Sequence, residues 1–345
     1  MNMQRMLAFV ALAAMPGTAL AQGSVTPLFT TDSPIQVRIQ GPVNSIARKA
    51  AKDVTPQAAT LSLASPSETH AIQLSARGLS RRTAGICDFP PLRVQFAQPP
   101  VAASLFAGQK RLKLVTHCKS SESHQQYLLT EYSAYLIYNQ LTPLSYKARL
   151  ATVEYAEPDG KVLTRRWGFF IEDIDDVGKR NGANEARVGD RIPATQLDPA
   201  TAARVALFQY MIGNLDWSMR AGPQGEGCCH NSRLFSIAGS ALKPAPYDFD
   251  YSGLVDAPYA APPEGVKVRS VRQRMYRGYC IHNSQALAVA AEMRAKRGAV
   301  EGVFGQVPGM DEKTRRKALG FLADFFSDIG TDESVSTKVL KDCIG

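Results

Sequence analysis

Three oxygen-bearing side chains, Asp216, Asn231 and Asp248, fall within one stretch, LFQYMIGNLDWSMRAGPQGEGCCHNSRLFSIAGSALKPAPYDFDYSGL, residues 207–254. An acid, an amide, two short strand candidates and another acid follow in that order. The order suits phosphoryl transfer, in which one aspartate takes the acceptor hydroxyl proton while an amide and a second carboxylate hold magnesium on the phosphates. Mg²⁺ wants octahedral oxygen ligands and usually draws one or two carboxylates from the protein. Asn231 with Asp248 meets that demand, and Asp250, two residues on, is an equivalent candidate. Asp216 is left as the catalytic acid–base.

These residues need rigid elements beneath them. Asp198-Pro199 predicts a clean helix start, with Asp as N-cap and Pro in the first turn. Val205, Phe208, Met211 and Ile212 form its inward stripe and Gly213 ends it, so Asp216 lies just past a buried helix end. Arg111 to Val115 alternates as a strand, and Lys113 on it is the candidate to reach a nucleotide's phosphates, with Lys110 and Lys119 as rivals. His124 to Leu141 reads as a helix with Leu128, Tyr132, Leu136 and Asn139 in one stripe. Its one acid, Glu131, is placed to pair with the lysine, the alternative being a helix-surface carboxylate.

The remaining chain supplies a frame. Ile35 to Ile39, Leu61 to Leu63, Ala71 to Leu74 and Leu92 to Phe96 read as short strands. Ala148 to Tyr155 and Leu163 to Ile171 form a hairpin across Glu157-Pro158-Asp159-Gly160. The run Trp167 to Ile174 ends in Glu172-Asp173 and opens into polar sequence, as a hinge lined for a nucleotide base would. Ser284 to Val300 and Asp311 to Ile329 are packing helices. Between them and the acidic turn, Arg269, Arg272, Arg274 and Arg277 could grip an acidic polymer or phosphates, or form a solvated face. No Walker-type, GxGxxG or GxSxG motif occurs, and the histidine and cysteine spacings suggest neither a triad nor zinc.

Residues 1–21 carry Arg5, an apolar run from Met6 to Met15, and Ala19-Leu20-Ala21 before Gln22. That pattern predicts a secretory signal peptide cleaved after Ala21, with no membrane-spanning run afterwards and a periplasmic or secreted product. Losing Arg5 takes the formal charge from +9 to +8, which suits anionic partners. Six cysteines remain, an even number for an oxidising compartment. Cys87 precedes one strand candidate and Cys118 follows another. If those strands pair antiparallel, a bridge closes easily and contributes on the order of 3–4 kcal/mol.

Together these pieces resemble the spore-coat CotH kinase-like family, and more closely its exported bacterial relatives. The resemblance rests on Arg77-Gly78 before Pro-Pro-Leu-Arg-Val-Gln-Phe, the Leu-Lys-Leu-Val strand and the Glu131 helix. It continues through Phe-Ile-Glu-Asp-Ile-Asp and Gly-Asn-Leu-Asp-Trp-Ser with His-Asn, to Pro-Tyr-Asp-Phe-Asp, over about residues 70–255. It implies an α+β, atypical kinase-like, two-lobed fold, with a β-rich N-lobe over residues 22–172 and a mainly helical C-lobe over 173–345. ATP and Mg would lie between the lobes. Asp216 would be catalytic; Lys113, Glu131, Arg77, Arg81 and Glu172 would bind the nucleotide; Asn231, Asp248 and Asp250 would hold metal. Relative to the usual HRDxxxxN spacing, Met219 to Cys229 would be an insertion. The implied activity is transfer of a phosphoryl or nucleotidyl group to a protein or glycan hydroxyl. The alternative is a non-catalytic module on an acidic envelope or extracellular partner. No nucleic-acid partner is expected.

Overall fold

The computed structural model describes residues 23–237 and 239–345, so the expected leader, residues 1–21, lies outside the described residues. Strands with alternating apolar residues build the first half of the molecule: β1 (Ile35–Gln40), β2 (Gln57–Leu63), β3 (Glu68–Ala76), β4 (Leu92–Phe96), β5 (Arg111–Val115), β6 (Ala148–Ala156) and β7 (Val162–Ile171). They form a closed barrel in the order β1-β2-β3-β4-β5-β7-β6. All neighbours are antiparallel except β1 and β6, where Ile35–Gln40 runs parallel to Ala151–Ala156 and shuts the ring. Val37, Ile39, Leu61, Leu74, Val94 and Leu114 are among the side chains that fill the interior.

Residues that alternate outward on β5, β6 and β7, namely Val115, Leu150 and Phe169, are buried too, because helices cover that wall. α2 (Glu122–Leu141) lies against it, and α4 (Pro199–Ile212), α5 (Asn283–Ala295), α6 (Arg297–Gly302) and α7 (Glu312–Asp328) complete the helical side, after the short α1 (Val43–Lys49) and α3 (Ile174–Arg180). A small sheet of β8 (Asn184–Glu185), β9 (Ser232–Ser236) and β10 (Lys243–Pro246) flanks α4 in the order β10-β9-β8.

The expectation of a two-lobed kinase-like fold is corrected by this architecture. The sheet is not an open N-lobe: β1 ties β2 to β6 and closes it. One apolar core also runs from Val115, Leu150 and Phe169 through α2 and α4 to Phe325 on α7, joining barrel and helices. The expected hinge after β7 is instead a capped turn, in which Asp173 accepts from the Asp175 N–H at 3.1 Å and α3 follows directly.

Cys87 pairs with Cys118 across the antiparallel β4–β5 pair, Cys280 with Cys343, and Cys228 with its neighbour Cys229. Three disulfides suit a protein of the periplasm or the extracellular space. Among the described residues no helix is long and apolar enough to cross a membrane.

His117, just beyond β5, gives the fold an acid-sensitive point. It is 4% exposed, and its ring stacks on Phe89 at 4.7 Å. Burial, then the charges of Arg166 and His124, push its pKa from 6.5 down to about 4. Between those values the unfolded chain binds the extra proton, so stability is full above pH 6.5 and is lost as pH falls towards 4. The expected loss attributable to this ring is about 3 kcal/mol. In urea titrations at several pH values, His117→Phe should flatten the acid limb. A variant that loses as much stability as the parent removes His117 as the cause.

Candidate functional site

α4 starts and stops as its sequence dictates. The Asp198 carboxylate accepts from the Thr201 N–H at 2.8 Å, and Gly213 takes the left-handed conformation at φ +62° that ends the helix. A Cβ at Gly213 would press on Phe321 at 2.9 Å, so the tight stop also needs glycine's small size. The buried Asn214 side chain then accepts from the Asp216 N–H at 3.0 Å, while the Trp217 indole donates to the Asn214 carbonyl at 2.9 Å. Arg277 donates to the carbonyls of Leu215 and Trp217, one on each side of Asp216. The Asp216 backbone is therefore fixed from three directions.

The Asp216 carboxylate meets His230 and Asn231. Its Oδ1 lies 2.7 Å from His230 Nε2, and its Oδ2 accepts from Asn231 Nδ2 at 3.0 Å. Asn231 Nδ2 also donates to the Asp216 carbonyl at 2.8 Å, which leaves its Oδ1 for another partner. Accepting from the His230 ring, the Asp216 carboxylate raises the His230 pKa against the opposing effect of burial. Asn231 and Asp248 both hold positive φ, at +48° and +64°, a region that Asn and Asp tolerate better than other side chains. The Asn231 carbonyl accepts from the Tyr247 N–H at 3.1 Å, which brings Asp248 alongside this pair.

Asp248 and Asp250 are set by Phe249 between them, which is fully buried against Tyr135 at 4.6 Å and Phe208 at 5.3 Å. Tyr135 on α2 further accepts from the Asp248 N–H at 3.0 Å. From the same helix comes Glu131, and one oxygen each of Glu131, Asp248 and Asp250 lie within 4.8 Å of one another. Arg81 Nε stands 3.3 Å from Asp250, and its Nη1 3.7 Å from Glu131. Burial raises the Glu131 pKa well above the carboxylate range; Arg81 opposes this, and Asp250 and Asp248 reinforce it. Asp250 is pushed up to about 6, again chiefly by burial. Three carboxylates against one guanidinium, with the Glu131 Oε1 buried and unpartnered, form a set that a divalent cation would complete.

A cavity of about 580 Å³ opens between β4, β5 and the turn before Cys228. Arg93, Arg111, Lys113, Arg187 and Arg233 line it, facing the acids Asp173, Glu185 and Glu226. Arg111 pairs with Asp173 at 3.1 Å and Arg233 reaches Glu185 at 3.6 Å. Lys113 lies 4.7 Å from the ring centre of Tyr247, and burial, then the positive charge of Arg77, lowers its pKa to about 7. Arg93 and Lys113 are direct partners across the β4–β5 ladder, a like-charge juxtaposition that an anion would relieve.

The sequence-predicted residues thus divide. Asp216 and Asn231 touch; Asp248, Asp250 and Glu131 cluster beside them; Lys113 lines the cavity. Glu131 is bound by Arg81 rather than by Lys113, and the Arg81 guanidinium is turned inward onto carboxylates. Arg77 is half-buried, and its charge bears on both Lys113 and Arg93. Glu172 is not free for a nucleotide: both its oxygens bind Arg180 at 2.9 Å, and one also accepts from the Lys147 N–H. Three arginines of the run are engaged internally: Arg274 stacks on Phe321 at 3.8 Å, Arg272 pairs with Asp256 at 3.5 Å, and Arg277 holds the Asp216 loop, while Arg269 is exposed. The sequence offered no role for His230 or Tyr135, although His230 adjoins Asn231, and it pointed Arg277 to an anionic partner rather than to the Asp216 loop that it clasps. No family model matches the chain, and no curated protein matches it.

Proposed function

We propose that this protein is an exported, magnesium-dependent transferase that moves a phosphoryl or nucleotidyl group from ATP to a protein or glycan hydroxyl. The observation that carries the reading is the adjacency of two sets, Asp216 with Asn231 and the carboxylates of Glu131, Asp248 and Asp250; Tyr247, bonded to the Asn231 carbonyl, stacks under Lys113 of the cation-lined cavity. The order of sequence motifs, which resembles that of the CotH kinase-like family, supports the same chemistry.

Each set has a distinct task. Asp216, oriented by His230 and Asn231, accepts the proton of the acceptor hydroxyl as its oxygen bonds to phosphorus and the bond to the leaving group breaks. Asp248, Asp250 and Asn231 Oδ1, with Glu131 behind them, would hold Mg²⁺, whose charge offsets that of the phosphates. Lys113, Arg93 and Arg77 would receive the remaining phosphate charge.

Thermal melting with Mg²⁺–ATP tests the reading, because a ligand that binds only the folded chain must stabilise it. At a hundredfold excess over Kd the gain is about 2.7 kcal/mol, and it should shrink when magnesium is withheld. An unchanged melting temperature at millimolar Mg²⁺–ATP would remove ATP as the donor.

A further inference from the structure

The segment between β3 and β4 crosses the acidic cluster as a strap. Its turn, Ser80–Arg82, is flanked by Gly78 and Gly85, both at φ +83°, and a Cβ at either would meet nothing within 4 Å. Leu79, at 75% exposure, faces solvent. The Cys87–Cys118 bridge anchors the chain just beyond Gly85, which confines any movement to the strap itself. On its outer side Arg82 donates to the Ala50 carbonyl at 2.8 Å. On its inner side Arg81 is 6% exposed and reaches the same carboxylates that would take a cation.

A divalent ion among Glu131, Asp248 and Asp250 would sit within contact range of the Arg81 guanidinium, and the two positive charges would repel. One of the two sides must yield. Glu131 rides on a buried helix, and the aspartates flank a fully buried Phe249, so neither can retreat. The strap has glycine at both ends and an exposed outer face. We propose that Arg81 is a latch: it occupies the carboxylates while the metal is away, and metal entry displaces it and releases the 78–85 strap over the site. This rests on the metal reading above, and the experiment separates the two.

Manganese, a spectroscopically convenient divalent ion, is titrated calorimetrically into the parent protein and Arg81→Gln, with hydrogen exchange followed in the parent. The amides of Arg82, Thr83 and Ile86, bonded to the carbonyls of Leu79, Ser80 and Thr83, report on the strap. The latch predicts at least about tenfold faster exchange at these amides when Mn²⁺ binds, and at least about tenfold tighter Mn²⁺ binding by Arg81→Gln. Mn²⁺ bound by the parent with strap exchange unchanged overturns the latch and leaves the metal site standing. The latch fails in that case even if Arg81→Gln binds more tightly, since loss of a positive charge alone would do that. Absence of binding in both proteins overturns the metal reading and the latch together. Should Arg81→Gln fail to fold, the exchange measurement on the parent still decides.

Discussion

Asp216→Asn is expected to lower transfer to the acceptor hydroxyl by about 10²–10⁴-fold while the protein melts near the parent temperature. The carboxylate is the only part of the residue that changes; its backbone stays bound by Asn214 and the Arg277 clasp. An amide at this position cannot accept a proton, and it loses the charge that orients His230. The Asn231 contact to the Asp216 carbonyl is a backbone contact and survives, so the loop should not collapse. Initial rates at saturating Mg²⁺–ATP make the measurement. A variant that turns over at the parental rate would exclude Asp216 from proton transfer, whatever the donor.

Arg180→Met should cost about 3–5 kcal/mol in urea unfolding. The Arg180 side chain is 7% exposed and that of Glu172 is fully buried, with two N–O contacts at 2.9 Å. Arg180 also donates to the carbonyls of Pro143 and Ser145. Methionine leaves a buried carboxylate without its counter-charge and two carbonyls without a donor, so the loss exceeds that of a surface pair. Arg180→Met combined with Glu172→Leu should recover part of the loss, because the stranded charge is gone. If the single change costs under about 1 kcal/mol, the ion pair is not what holds the β7–α3 corner.

Local signals in the sequence carried much of this molecule. Asp198-Pro199 and Gly213 bound α4 as their chemistry demands, and Glu157-Pro158-Asp159-Gly160 turns β6 into β7. Cys87 and Cys118 were placeable because both strand candidates are short and their ends meet only in the antiparallel pairing. Closure of the barrel was not readable. β1 and β6 lie more than a hundred residues apart, and alternation within Ile35–Gln40 fits an edge strand as well as a ring. The helix predicted over Ser284–Val300 is broken at Lys296, a residue with no breaking signal of its own. The site was legible as types and order, but not as pairings. Glu131 could have met any nearby cation, and only the strap's path brings Arg81 to it. The same holds for Glu172, which turns to Arg180 one helix later, and for arginines whose sidedness composition does not encode.

The ring of seven strands has a consequence for partner recognition. Every barrel strand has a neighbour on both sides, so none can be lengthened into a shared sheet by a visiting peptide. In the small flanking sheet the outer strands are a two-residue segment and one carrying Pro244 and Pro246, neither of which offers a run of free amide donors. A partner protein would therefore have to be recognised by side chains and loops rather than by strand addition. Specificity of that kind is expected to follow the partner's charge and shape more than an extended backbone motif.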